Sequence, residues 1–595
     1  MRQIALLRDR LLLLMLFGAI GAMILSNLSS NEQVPNLTSF FDNVAAIVQA
    51  KMALAQGQFP LRAAVYGFSD WHYPLFQFNS PTSYTLAGLI YRFICPNNPF
   101  IAFKLTIWCA LLCGGIYMYR LVCWMCQSKP AAVLASIMYL TSPYYIIVIN
   151  HLGDFNEAIA LGILPAVVFY TLQRYFHPSE NKTLLQTSLA WYLLATVHVI
   201  TFFYTSAFVG LFILLLTVKN PKSSLNLVDT LIAYLFGCLL ALWYLGPVFM
   251  LQNYLNIDSM ATNGEIFSAY RPYLAHLLSP VQNILAGVKV AGTEITGVPL
   301  LHPNLGFPLL FAVIVGVYSF FSPAKNDNTH PMKAWLSPLL LIFGIAFLMV
   351  WTPINIWQWL PHSFMIGLYS WRLLGQVIWI GALLFGLSVC WFFEDKLSVR
   401  HVVIGAFLII AATSVWLIVP ERSLVDLKIS KLVKDPHEVS GENYLLNVQK
   451  NIMSINAIDS VSAKGSRGSS LYLNAEKTLA VDKTQPDCHL EQSTTVCHLK
   501  VPASINLIEL PVLYYPDMLS IDVNGKSVSY SSVLYKNYII AAITPQPGLN
   551  DITIDFRGLP WANSLSNMAW WLWLLFFAFV FLIYLSQKEM REFDQ

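Results

Sequence analysis

Apolar runs divided by short polar turns dominate this chain. They fall at 11–28, 101–122, 131–150, 155–173, 184–200, 203–218, 228–249, 306–321, 335–351, 372–393, 401–419 and 568–585. Each is long enough, or nearly so, for a hydrocarbon core of roughly 30 Å, which predicts about twelve transmembrane helices. The segment 184–218 reads as a tight hairpin around His198–Thr201. Between the first two runs, Val44 to Leu54 has helix-like apolar spacing, closed by Gly57 and Pro60. The stretch PTSYTLAGLIYRFI predicts a second apolar helix lying on the membrane or dipping into it. Near the C-terminus the pattern changes to short β-branched runs, SINLIELPVLYYP, LSIDVNGKSVSY, NYIIAAIT and NDITIDFRG. An Asn524–Gly525 turn and a Pro-Gly pair divide them, so 440–560 is expected to be a small antiparallel β-domain between the last two helices.

Composition agrees with the pattern. Of 595 residues, 56% are apolar and only 11% charged, whereas soluble domains carry about a quarter charged residues. A net charge of +3 gives no reason to expect nucleic acid or an acidic partner. Arg2, Arg8 and Arg10 precede the first run, which no A-x-A-like cleavage site follows, so it is expected to stay as an uncleaved helix with a cytoplasmic N-terminus. Lys129, Arg174, Lys182, Lys219, Lys222, Lys325, Lys333, Lys396, Arg400, Lys588 and Arg591 then all fall on inner connections. Both termini are cytoplasmic in this topology, and 29–100, 250–305, 352–371 and 420–566 face outward. The expected units are a membrane domain over 1–419 that includes the first outer loop at 29–100, an outer β-rich domain over 420–566, and a last helix with its tail over 567–595.

The nine cysteines separate by setting. Cys123 and Cys126 form a C-x-x-C at the end of a span, without the second pair that a zinc site needs. Cys488 and Cys497 lie in polar sequence, where an oxidising compartment would join them as a disulfide stapling a loop.

Ionisable groups at membrane depth are costly, which makes each a functional candidate. Asp42 opens the amphipathic helix, so a capping role and an active-site role are both open. Asp70, Trp71 and His72 suit a sugar-stacking wall or an interfacial aromatic belt. His151, Asp154 and Glu157 recur every three residues, so successive members are expected to share a helical face. Capping explains Asp154, but Glu157 lies deeper, beside Ala158, Ile159 and Leu161. Arg372 opens a helix from the outside with Gln376 one turn further in, and its guanidinium suits an anionic headgroup or phosphate. Snorkelling is the alternative for Arg372. No nucleotide-binding loop or nucleophile elbow occurs in a credible setting.

The stretches FFDNVAAIVQAKMALAQGQFP, YPLFQFNSPTSYTLAGLIY, SPYYIIVINHLGDFNEAIALGILPAVVFY, YSWRLL and LPVLYYPDMLSIDVNGKSV, with PGLNDITIDFRG, span most of the chain. In order and spacing they resemble the GT-C class of membrane glycosyltransferases. They are more specifically similar to bacterial YfhO-like proteins and to the integral membrane proteins called 6-pyruvoyl-tetrahydropterin synthase-related, a label to which no pterin chemistry here corresponds. The resemblance implies transfer of a hexosyl or pentosyl unit from a polyprenyl-phosphate donor to a glycan or lipid acceptor of the cell envelope. The reaction would take place on the outer face of a bacterial cytoplasmic membrane, among membrane lipids. It implies Asp42 as base, Glu157 as the acid of the second outer turn that positions acceptor or donor, and Arg372 beside the lipid phosphate, with Asp154 a further catalytic candidate. Many members carry paired acids where this chain has Asp42–Asn43, which leaves dependence on a divalent cation (Mg or Mn) open. Two other classes fit the same helices: a transporter or lipid-carrier flippase, and a non-catalytic scaffold for envelope assembly. The absence of obvious inverted halves and the large outer loops speak against a transporter. A scaffold would tolerate neutral replacement of the acids.

Overall fold

The computed structural model describes residues 2–35, 37, 39–65, 72–251, 272, 274–278, 304–322, 330–354, 356–359, 370–393, 397–417, 424–430, 487–491, 494–501, 503, 507–535 and 538–593. Its helices in the first half are α1 (Arg2–Leu25), α2 (Phe40–Ala55), α3 (Leu75–Phe78), α4 (Pro81–Phe93), α5 (Pro99–Cys126), α6 (Lys129–Leu140), α7 (Pro143–Ile147), α8 (Phe155–Phe176), α9 (Asn181–Val197), α10 (Val199–Lys219), α11 (Ser224–Leu240) and α12 (Leu242–Leu251). Then follow α13 (Leu274–Leu278), α14 (Phe307–Phe321), α15 (His330–Trp351), α16 (Leu374–Phe393), α17 (Val399–Ser414) and α18 (Pro560–Phe593). Nine helical segments among the described residues are long and apolar enough to cross a membrane. All twelve expected runs are mainly helical over their described residues, with breaks at Thr141–Ser142, His198 and Ala241. The three outside the nine are α1, the 17-residue α9 and the 15-residue α14.

Helix ends follow local chemistry. Asn98 accepts from the Ile101 N–H at 3.0 Å, and Pro99 occupies the first position of α5, where no N–H is needed. Between α9 and α10 the chain breaks at a single residue, the extended His198. The expected single-face alignment of His151, Asp154 and Glu157 does not form. A π-helical turn over Val148–Leu152 ends at Gly153, whose φ of +65° stops the helix, and Asp154 caps the next one. His151 therefore belongs to one helix and Glu157 to another.

Small residues set the closest packing. A Cβ on Gly162 of α8 would meet the Ala110 carbonyl oxygen of α5 at 2.4 Å, so the two backbones touch directly. Charged turns gather at one end of the bundle: Lys129 meets Asp9 at 3.2 Å, Arg174 meets Asp229 at 3.4 Å, and Lys219 donates to the Ala334 carbonyl at 3.2 Å. At the other end, β1 (Gln33–Pro35) pairs antiparallel with β2 (Leu424–Asp426), and Asn27 donates to the Leu417 carbonyl at 2.5 Å.

The C-terminal strands are β3 (Asp487–Glu491), β4 (Thr494–Val501), β5 (Ile508–Leu513), β6 (Leu519–Val523), β7 (Lys526–Ser527), β8 (Tyr530–Tyr535), β9 (Tyr538–Ile543) and β10 (Gly548–Phe556). They form antiparallel sheets ordered β3-β4-β10-β6-β7 and β5-β9-β8. Val501, Ile521 and Ile552 of one sheet share a buried core with Ile508, Val512 and Ile543 of the other. Asn524 and Gly525, with φ of +51° and +74°, make the expected hairpin turn between β6 and β7. Cys488 and Cys497 differ from expectation in their setting. They stand opposite each other on adjacent strands, β3 and β4, rather than in a loop. The 431–486 part of the expected β-domain lies outside the described residues.

Candidate active site

At the end of the bundle opposite the charged turns, four helical segments bring an ion cluster together. Asp154 caps α8: its Oδ1 accepts from the Glu157 N–H at 3.2 Å, while Oδ2 lies 3.5 Å from Arg372 Nη2. Glu157, one turn in, has a side chain only 2% exposed, and its Oε2 lies 3.5 Å from Arg372 Nη1. Its other oxygen accepts from the Tyr144 hydroxyl on α7. Arg372, just ahead of α16, is thus held between two acids from α8. His198, at the break between α9 and α10, approaches Arg372 Nη1 with Nε2 at 3.4 Å and holds Thr201 Oγ1 with Nδ1 at 2.7 Å. Trp371 packs edge-on to Tyr144, with ring centroids 6.2 Å apart.

Asp42 reaches this cluster through its neighbours. It occupies the first turn of α2, and Ser39, not Asp42, is the capping position. The Ser39 N–H donates to the Leu152 carbonyl at 3.0 Å, and Asn43 Nδ2 donates to the Gly153 carbonyl at 2.9 Å. Gly153 lies against Phe40: a Cβ there would fall 2.9 Å from Phe40 Cβ. The start of α2 is therefore docked on the turn that ends in Asp154. Tyr84 closes the junction, donating to Asn43 Oδ1 at 2.6 Å and accepting from Asn156 Nδ2 at 3.0 Å. Burial above all, and also the charges of Asp154 and Asp42, disfavour its phenolate. Burial raises the Asp42 carboxyl from its ordinary 3.8 to about 7. Among the described residues Asp42 makes no ion pair, whereas Asp154 and Glu157 share Arg372.

The remaining candidates lie elsewhere. His151 Nε2 faces the Trp416 carbonyl at 3.4 Å. Gln376 donates to Thr205 at 3.0 Å and accepts from Trp379 at 2.9 Å, which fixes α16 against α10. His72 is buried against Thr495 at 2.8 Å, and burial pushes its pKa down to about 4. Asp70 and Trp71 lie outside the described residues. Tyr144, His198, Tyr84 and Asn156 join the cluster without having been singled out from sequence. Of these, His198 carried a signal, as an imidazole between two apolar runs.

Asp154, Glu157 and His198 offer ligand atoms within 4.8 Å of one another, a donor set suited to a divalent cation. The arrangement does not fit one. Arg372 already stands 3.5 Å from an oxygen of each acid, and its positive charge opposes a cation in the same space.

A helical bundle with an acid pair sharing one arginine at one mouth defines an integral membrane protein with a polar site near the membrane boundary. Over residues 76–391, just over half the chain, the sequence matches the family described as "6-pyruvoyl-tetrahydropterin synthase related domain; membrane protein". The chain belongs to that family. No curated protein matches it. Among solved structures it is similar to the Archaeoglobus fulgidus oligosaccharyltransferase in the apo form. That match has 12% identity and a TM-score of 0.42, covering 76% of this chain and 58% of the other. It is also similar to ArnT from Cupriavidus metallidurans bound to undecaprenyl phosphate, with 12% identity, a TM-score of 0.32 and coverage of 77% and 82%. The chain spans only 58% of the oligosaccharyltransferase's length, and likeness at this level transfers no residue roles.

Proposed function

We propose that this protein is a GT-C-type glycosyltransferase of a bacterial cytoplasmic membrane. In this reading it moves a hexosyl or pentosyl unit from a polyprenyl-phosphate donor to a cell-envelope glycan or lipid on the outer face. The observation that carries the reading is the docking of the Asp42 turn onto the Gly153–Asp154 turn. It brings the first turn of α2, whose Asp42 carboxyl is raised to about 7 and makes no ion pair among the described residues, onto the turn that carries Asp154. A base poised near neutrality is matched to removing a proton from an acceptor hydroxyl.

The step balances with these groups. The acceptor oxygen bonds to the anomeric carbon as its proton passes to Asp42. The bond from that carbon to the phosphate oxygen breaks, and the polyprenyl phosphate leaves carrying the electron pair. Direct attack inverts the anomeric configuration. Arg372 presents positive charge to the departing phosphate, and Asp154 and Glu157 hold the guanidinium in place. Tyr144 and His198 fix Glu157 and Arg372 in turn. The positive-inside pattern supports an outward-facing site, since the cation-bearing turns lie at the opposite end. The facing positions of Cys488 and Cys497 on β3 and β4 support a disulfide in an oxidising space.

The experiment compares envelope glycans of a deletion strain complemented with wild type, Asp42→Asn or Glu157→Gln. Asp42→Asn is expected to lower transfer by about 10²- to 10⁴-fold with normal membrane abundance. Glycans identical across deletion and wild type remove the transferase reading, and full activity in Asp42→Asn removes Asp42 as base.

A further inference from the structure

A cavity of about 770 Å³ opens where the α2–α3 loop, β4, the end of β10 and the first turns of α18 meet. Its volume suits a small organic ligand. Arg62 forms its charged wall. The residue is 8% exposed, with Nη1 donating to Gln77 Oε1 at 2.5 Å and Nη2 to Asn563 Oδ1 at 2.7 Å. Its guanidinium also faces the Trp243 ring at 5.1 Å. Both hydrogen-bonding partners are neutral. Among the described residues no carboxylate pairs with Arg62, and burial is what displaces its pKa, to about 10. A buried cation without an anion is an unfavourable resting arrangement.

The other charges of the wall cancel. Asp555 pairs with Arg557 at 3.0 Å and accepts from Thr494, while buried His72 is neutral at physiological pH. Among the described residues the cavity therefore carries the single positive charge of Arg62. Gly558 explains how the strand end seats there: with φ of +70°, it lies so close that a Cβ would fall 2.3 Å from Arg62 Nη1. Tyr192 and Trp570 also line it, packed edge-to-face at 4.9 Å, with Asn567 one turn before Trp570 on α18. Aromatic faces with amide groups suit the apolar faces and hydroxyls of a sugar ring. One buried guanidinium suits one anionic substituent.

We propose that this cavity binds an anionic saccharide, a sugar bearing a phosphate or carboxylate, with Arg62 on the anion and Trp243, Tyr192 and Trp570 around the ring. The site is separate from the Asp42 and Arg372 cluster and does not depend on the transferase reading. Such a sugar has two sources, free in solution or as the headgroup of a lipid, and the mouth lies where α18 begins, beside exposed Trp561 and Trp571.

The test uses the full chain in phosphatidylcholine nanodiscs, with calorimetric titration of glucose 1-phosphate, glucuronate, glucose and inorganic phosphate. At least one acidic sugar is expected to bind about tenfold or more tighter than glucose and inorganic phosphate alike. Arg62→Gln should remove that preference. Asn567→Trp, at an exposed position on the rim, should block binding without changing the melting temperature. Asp42→Asn should bind as wild type does, so a failed transferase reading leaves this result intact. Nanodiscs containing phosphatidylinositol that compete with the soluble sugar assign the lipid source, and lack of competition assigns the free one. Equal binding of glucose and glucose 1-phosphate, no binding of either acidic sugar, or unchanged binding in Asn567→Trp overturns the proposal.

Discussion

The span Ser370–Phe393 and the span Pro560–Ser586 have nearly the same mean hydropathy, 2.1 and 2.2, yet the first is entirely buried over its most apolar window and the second only 6%. Hydropathy reports membrane compatibility, not position in the bundle. One difference lies in where glycines let neighbours approach. The first span carries Gly375, Gly381 and Gly386, and Cβ atoms at the last two would fall 2.8 Å from Leu309 and 2.5 Å from Val122. The second carries Trp571, Leu575 and Phe579 pointing outward. Small residues let neighbouring helices approach closely, and the first span's Trp379 and Trp391 are buried in that packing. Arg372 lies in the first turn of the buried span, so the ion cluster is held at the mouth end of the most buried span.

Four changes test that contrast, beginning with the largest effect. Arg372→Met strands Asp154 and Glu157 without a counter-charge and is expected to lower stability by about 3–5 kcal/mol, visible as a large fall in thermal unfolding temperature in detergent. A loss no greater than that of Arg557→Met, at an exposed pair, would show that the cluster is not a buried one. Gly386→Val forces α16 off Val122 and should cost about 1–3 kcal/mol by the same assay. Wild-type stability in that variant would mean the span is loosely packed.

The third concerns pH and Asp42, which lies between the two extremes of burial. Its carboxyl is raised from 3.8 to about 7, so the fold favours the protonated form. That contribution is complete below about 3.8 and is lost as pH rises through about 7. Catalysis runs the other way, because the base must be ionised. Transfer should climb with a midpoint near pH 7 while melting temperature drifts down, and Asp42→Asn should flatten the melting trend. A rate already maximal at about pH 5 would contradict this. The smallest effect belongs to the rim: Trp571→Ala should change stability by less than about 0.5 kcal/mol. A large loss there would reveal that a partner covers α18.

Much of this was legible in the residues. Apolar runs located the helices because burial in lipid or protein demands the same side chains. Asn524–Gly525 located a hairpin because its positive φ angles suit few other pairs. Asp154, Glu157 and Arg372 stood out as charges at helix ends. Their pairing did not, since it depends on how α8 and α16 pack across two hundred residues of sequence. Tyr144 was hidden for a related reason: a tyrosine in an apolar run looks like core until its hydroxyl partner is known. Arg62 carried no local signal at all, as its partners Gln77, Trp243 and Asn563 come from three separate regions. The strands β3 and β4 were missed although Cys497, Leu499 and Val501 alternate with His498 and Lys500 along β4, because polar, cysteine-bearing sequence around them reads as a loop.

The small β1–β2 pair bears on how the protein is made. Gln33 stands opposite Asp426, and Pro35 opposite Leu424, so the loop leading to Asp42 is tied to sequence almost four hundred residues later. Contacts of such long sequence separation form late, and a chain emerging from its N-terminus must wait for them. The segment before Asp42 thus gains its last support only after most of the helices have been synthesised and inserted. Assembly order, and not only final geometry, decides when the site becomes complete.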